Sequence, residues 1–131
     1  MILGKLSLKS RLILAPLEGV SDLGFRTLCS ELGAGLTFTE MCRAERVGLK
    51  NKATLDLIDT FDDKHVTGLQ LLASSPSQLW KALETVEHLA TTSRPHYRNI
   101  RAIDLNFGCP SPVVINAVLM PIYLYIFSIM R

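Results

Sequence analysis

A thiol stands between a glycine and a proline in DLNFGCPSP, residues 104–112. The apolar run IRAIDLNF (100–107) leads into it, so Cys109 falls where a strand ends. A thiol with an ordinary pKa near ~8.5 is mostly protonated at neutral pH and can donate its proton, whereas an unperturbed carboxyl group has already lost its own. Gln70 is the second position of this kind. Its carboxamide, which both donates and accepts, sits inside the apolar run VTGLQLLA (66–73). Asn106 repeats the pattern in the last run. A core built only for stability has no need of amides at these two places. The other two cysteines read differently. Cys29 falls on the apolar stripe of a helix, as a small buried hydrophobe would. Cys42 lies just past a strand end, and its role stays open.

These side chains need a scaffold, and the chain alternates strand with helix. RLILAP (11–16) is a short apolar run stopped by proline. Ser21 or Asp22 can cap a helix whose stripe is Phe25, Leu28, Cys29 and Leu32, with Gly33 as its stop. GLTFTEM (35–41) is a second strand, rich in Thr and Phe. Residues 43–64 are mixed in charge, with a short helix over KATLDLIDTF. VTGLQLLA is the third strand. SPSQLWKALETVEHLATT (75–92) is the clearest helix: Ser75 and Gln78 form a capping box, Pro76 takes the first turn, and Leu79, Leu83, Val86 and Ala90 make the buried stripe. IRAIDLNF is the fourth strand. Strand and helix alternating in this way give βαβ units and a parallel sheet, either doubly wound or a (β/α)₈ barrel. In both, chemistry gathers at the carboxyl ends of the strands. Those ends carry Ala15-Pro16-Leu17-Glu18, Thr39-Glu40-Met41, Gln70, and Asn106-Phe107-Gly108-Cys109.

Composition narrows the class. Lys and Arg number 14 against 12 Asp and Glu, so the chain lacks the strong positive charge of a general nucleic-acid binder. The basic segment SRPHYRNIR (93–101) precedes the fourth strand, on the face opposite the expected chemistry, and reads as a solvated loop. Three cysteines without a CxxC pair give no metal pattern and suit a reducing, cytoplasmic compartment. Lys5, Lys9 and Arg11 interrupt any signal-peptide core. His65 and His88 show no partner pattern.

Four stretches together resemble the tRNA-dihydrouridine synthase family of flavoenzymes. They are LAPLEGVSDLGFRTLCSELGAG, FTEM, LQLLASSP and AIDLNFGCPSP. The likeness runs from about residue 10 to about residue 117, and Leu17 stands where a methionine is usual. It implies a partial (β/α)₈ barrel of about four βα units, with residues 1–112 as the amino-terminal half of an FMN-binding barrel domain. It also implies reduction of the uracil C5–C6 double bond in tRNA, with NADPH first reducing FMN. Hydride would reach C6, and C5 would then need a proton from a general acid, which the resemblance places at Cys109. Gly108 would let the backbone approach a flat ring, and Pro110 would stiffen the loop. By the same resemblance Gln70 meets the polar edge of the flavin, and Pro16, Leu17 and Glu18 pass against it; Asn106 could orient flavin or uracil, or equally tie down its own loop. Glu40 could line the pocket or sit in solvent. A dihydroorotate dehydrogenase-like barrel is the rival, and LAPLEGVSD and FTEM favour the tRNA enzyme.

Residues 113–131 depart from this pattern. From Val113 to Met130 only Asn116, Pro121 and Ser128 are not apolar. The expectation is an aberrant apolar tail from a truncated, frame-shifted or wrongly joined gene copy. A membrane span is a weak alternative, since the stretch sits at the lower limit of roughly 17–25 residues and carries a central proline; a helix buried in an assembly is the third reading. A complete barrel takes about 250 residues. The chain alone would leave unpaired sheet edges that invite oligomerisation. The alternative function is therefore a non-catalytic fragment or interaction module without a complete flavin site.

Overall fold

The structure, a computed structural model, describes residues 1–60 and 65–109. The apolar stretch 113–131, Pro110 and the end of the 43–64 segment lie outside the described residues. A short antiparallel hairpin, β1 (Ile2–Leu3) and β2 (Leu6–Ser7), precedes the main sheet and was not legible as a strand pair. The main sheet then contains β3 (Ile13–Leu14), β4 (Leu36–Phe38), β5 (Cys42–Arg43), β6 (Thr67–Leu72) and β7 (Ile100–Leu105). Every pairing in it is parallel. The order is β3, then β4 with β5, then β6, then β7, so each strand lies beside its neighbour in sequence. That order with helical crossovers is the start of a (β/α)₈ barrel, as an open sheet among the described residues.

The crossovers follow local signals. Helix α1 (Leu23–Glu31) is capped by Asp22, whose Oδ1 accepts the Phe25 N–H at 2.8 Å. Two short helices, α2 (Ala44–Gly48) and α3 (Lys52–Leu57), fill the mixed-charge segment, and only the second was expected. Helix α4 (Pro76–Thr91) begins as read, with Ser75 Oγ accepting the Gln78 N–H at 3.3 Å. Gln78 Oε1, however, accepts from Ser74, one residue before the cap, so the box closes one residue early. One face of β6 and β7 (Leu69, Leu71, Ile103) packs against Val47 of α2 and Ala82, Val86, Leu89 and Ala90 of α4. Val86 and Ala90 are buried as the stripe required, with Leu79 and Leu83 at its margin.

Two expectations are corrected. The apolar stripe assigned to α1 is not its buried face: Leu28 and Leu32 are 50% and 76% exposed, and Arg26 and Ser30 are buried instead. Arg26 lies under the helix because its guanidinium donates to two backbone carbonyls, Ser21 O at 2.6 Å and Asp59 O. Those two bonds pair both terminal guanidinium nitrogens with carbonyls that a leucine would leave bare, while Nε is buried without a hydrogen-bond partner among the described residues. The basic segment before β7 is not a solvated loop either. Pro95–Asn99 form a 3₁₀ turn in which Tyr97 is 1% exposed and donates to Leu55 O at 2.7 Å. Arg94 donates to Asp56 and to the Tyr97 hydroxyl, both at 3.2 Å.

Burial gives this core an alkaline limit. Desolvation of the thiolate, with Glu40 adding repulsion, pushes the Cys42 thiol from 9.0 up to about 12. Desolvation likewise pushes the Tyr97 phenol from 10.0 up to about 12. Between those limits the unfolded chain releases protons that the folded chain keeps, so stability is intact below pH 9.0 and falls as pH rises toward about 12. Urea unfolding from neutral pH to about pH 10.5 should show this decline. Cys42→Ala or Tyr97→Phe should flatten its slope, and Cys42 should resist alkylation in the native chain while Cys109, half-buried, reacts.

Candidate functional site

The site begins with a misfit between β4–β5 and β6. Phe38 pairs with Gly68 and Cys42 with Leu71, so four steps along one strand span three along the other. The extra residue is a β-bulge, a device that bends a strand and re-aims its side chains. It removes a ladder carbonyl from the Gln70 N–H. Thr39 Oγ1 replaces it, accepting that N–H at 3.2 Å, while the Thr39 N–H still reaches Gly68 O at 2.9 Å. The Thr39 hydroxyl in turn donates to Glu40 O at 2.9 Å. Gly68 is needed on this face because a Cβ there would lie 2.2 Å from the Phe38 ring.

All of β6 is buried, and alternation puts Gln70 with Gly68 on the face away from α2 and α4. An amide in that position must find partners. Gln70 Nε2 donates to Asp104 Oδ2 at 2.6 Å, directly across the ladder on β7. Gln70 Oε1 accepts from Asn106 Nδ2 at 3.5 Å. Asn106 Oδ1 accepts the backbone N–H groups of both Gly108 and Cys109 at 3.0 Å. The Asn106 N–H extends the ladder to Leu71 O at 2.9 Å. Gln70, Asn106 and the Cys109 backbone therefore belong to one hydrogen-bonded group.

The first strand's loop joins it from the other side. Glu40 Oε2 accepts the Gly19 N–H at 2.8 Å, where Gly19 turns with φ +72°. Leu17 donates its N–H to Ser21 Oγ at 2.7 Å and accepts the Ser21 N–H at 2.9 Å. Ser21 is thus the clasp of this loop, and Asp22 alone is the helix cap. Pro16 is half-buried, and Leu17 and Glu18 are exposed. From Gly19 to Cys109 a continuous series of hydrogen bonds crosses the carboxyl ends of all four strand positions. Cys29 is on α1 and Cys42 is in the core, where its Sγ donates to Glu40 O at 3.5 Å.

Sequence reading missed Asp104 and the part played by Thr39. Asp104 was detectable: in AIDLNF the polar residues 104 and 106 alternate with apolar ones, so both share one strand face. Thr39 was not, because its task comes from a register slip between strands. Among the described residues no group of three or more His, Cys, Asp or Glu side chains could hold a metal ion, and no helix is long and apolar enough to cross a membrane.

Residues 13–119 match the family model for dihydrouridine synthase. A probable tRNA-dihydrouridine synthase of Rickettsia bellii is 32% identical over 115 residues, 87% of this chain and 32% of the relative. tRNA-dihydrouridine synthase B of Escherichia coli is 35% identical over 116 residues, covering 87% and 33%. Its namesake in Xanthomonas axonopodis is 34% identical over 118 residues, covering 89% and 32%. The chain spans about a third of the length of these relatives.

Thr39→Val tests the bulge. It removes the acceptor of a buried backbone N–H and should destabilise the chain by about 1–3 kcal/mol. Hydrogen exchange should show the Gln70 backbone amide losing protection ahead of its neighbours on β6.

Proposed function

Because the chain belongs to the dihydrouridine synthase family, we propose that it carries the first strands of an FMN-dependent enzyme. That enzyme reduces uridine in tRNA to 5,6-dihydrouridine, with NADPH as electron donor and Cys109 as general acid. The observation that carries this reading is the shared hydrogen-bonded group of Gln70, Asn106 and the Cys109 backbone at the carboxyl end of the sheet. Cytoplasmic action agrees with three free cysteines.

The residues present suit a flavin ring. With one N–H given to Asp104 and one lone pair to Asn106, the Gln70 amide retains a second N–H and a second lone pair. That pair complements a ring edge on which N–H and C=O alternate. Bound FMN would supply the hydride, having received it from NADPH. The chain's own residues do the rest. Cys109 holds a proton on Sγ and delivers it to C5 of the uracil as C6 gains the hydride, so one proton and one hydride saturate the double bond. Asn106 Oδ1 fixes the two N–H groups that set the thiol's loop. At the first strand end the Leu17 N–H and C=O are already engaged with Ser21. Contact with a bound ring there would be by packing of Pro16 and Leu17 and through the Glu18 backbone.

The first test is titration of the purified chain with FMN, read by quenching of flavin fluorescence and a shifted absorption band. FMN fluorescence and absorption left unchanged by the chain would instead favour the non-catalytic fragment. In a version extended to the length of its relatives, Cys109→Ala should lower dihydrouridine formation by about 10²–10⁴-fold, the usual contribution of a general acid, with FMN still bound. Undiminished dihydrouridine in the tRNA product would remove Cys109 from that role.

A further inference from the structure

A carboxamide is nearly symmetric in shape, so a half-turn exchanges donor and acceptor with little steric penalty. A glutamine that reads a ring edge must therefore be held one way round. We infer that Asp104 is the positioning residue that does this, acting through Gln70; the ring it serves is the one assigned under the proposed function.

The direction of the network follows from groups that cannot reverse. The Gly108 and Cys109 N–H groups can only donate, so Asn106 must turn Oδ1 toward them. Its Nδ2, also only a donor, then faces Gln70, which must answer with Oε1. Nε2 is left facing Asp104, whose carboxylate accepts. The two holds on Gln70 are unequal. The contact from Asn106, at 3.5 Å, lies at the outer limit of a hydrogen bond, whereas that to Asp104, at 2.6 Å, is short and made to a carboxylate oxygen. Asp104 is also the ladder partner of Gln70, so its position is set by the sheet rather than by a loop. The stronger and stiffer hold decides the orientation.

The sequence makes this measurable, because it contains only two glutamines, Gln70 and Gln78. In ¹⁵N-glutamine-labelled chain without flavin, the Gln70 side-chain NH₂ should give two widely separated, exchange-protected signals, with Gln78 as internal control. Asp104→Asn retains an acceptor oxygen and should preserve them. Asp104→Leu should collapse the pair toward free-amide positions and speed its exchange about tenfold or more, as loss of a hydrogen bond to a charged group implies. FMN affinity should fall about tenfold or more with Leu and recover to within about threefold with Asn. Unchanged Gln70 signals in the Leu variant, or an Asn variant as disordered at Gln70 as the Leu one, would overturn the inference. If the Leu variant fails to fold, the Asn variant decides by whether its Gln70 pair stays separated. Wild-type chain that binds no FMN but responds to these substitutions as expected would defeat the flavin reading and leave the role of Asp104 standing.

Discussion

A carboxamide has been placed on a strand whose every residue is buried, and the surrounding structure is organised around satisfying it. An amide taken from water without partners costs about 1–3 kcal/mol for each group left bare. Gln70 meets this by drawing on both neighbouring strands. Its backbone N–H goes to Thr39 on one side, and its side chain goes to Asp104 and Asn106 on the other. The bond to Asp104 anchors the group. Without it, the amide would depend on a long contact to Asn106.

The irregularities of the sheet become intelligible from that point. The bulge between Phe38 and Cys42 lifts Thr39 into reach of the Gln70 N–H and turns Glu40 toward Gly19. The loop after β3 is thereby tied to the second strand, while Arg26, beneath α1, holds the same loop through Ser21 O. A buried arginine on a helix face otherwise expected to be apolar has the same physical origin as the buried glutamine. Loop carbonyls brought under a helix need a donor, and a guanidinium can serve two at once. Gly68 completes the arrangement by leaving space for the Phe38 ring.

Much of the scaffold was legible because its signals are local. The Ser75 cap, the Pro76 start and the stripe through Val86 and Ala90 depend on residues three or four apart, and helix α4 forms where they place it. The four strand positions were marked by apolar runs with turn residues at their ends. Helix α1 shows where such reading fails. Phe25, Leu28, Cys29 and Leu32 have the spacing of a buried stripe, yet the buried face is the one that carries Arg26 and Ser30. Periodicity detects an apolar side, but which side a neighbour covers is a tertiary matter. The segment 93–101 failed similarly, since nothing in its charge showed that Tyr97 would reach the Leu55 carbonyl.

By itself the sequence determined the order of strands and helices and the residue types gathered at the strand ends, Cys109, Gln70 and Asn106 among them. Those follow from period, caps and motif, all short-range properties of the chain. Only the tertiary structure decided which way round Gln70 is held, that Asp104 holds it, and that Thr39 stands in for a missing ladder carbonyl. These depend on register between strands some thirty residues apart, and a one-residue slip in register is invisible to any pattern read along a single segment.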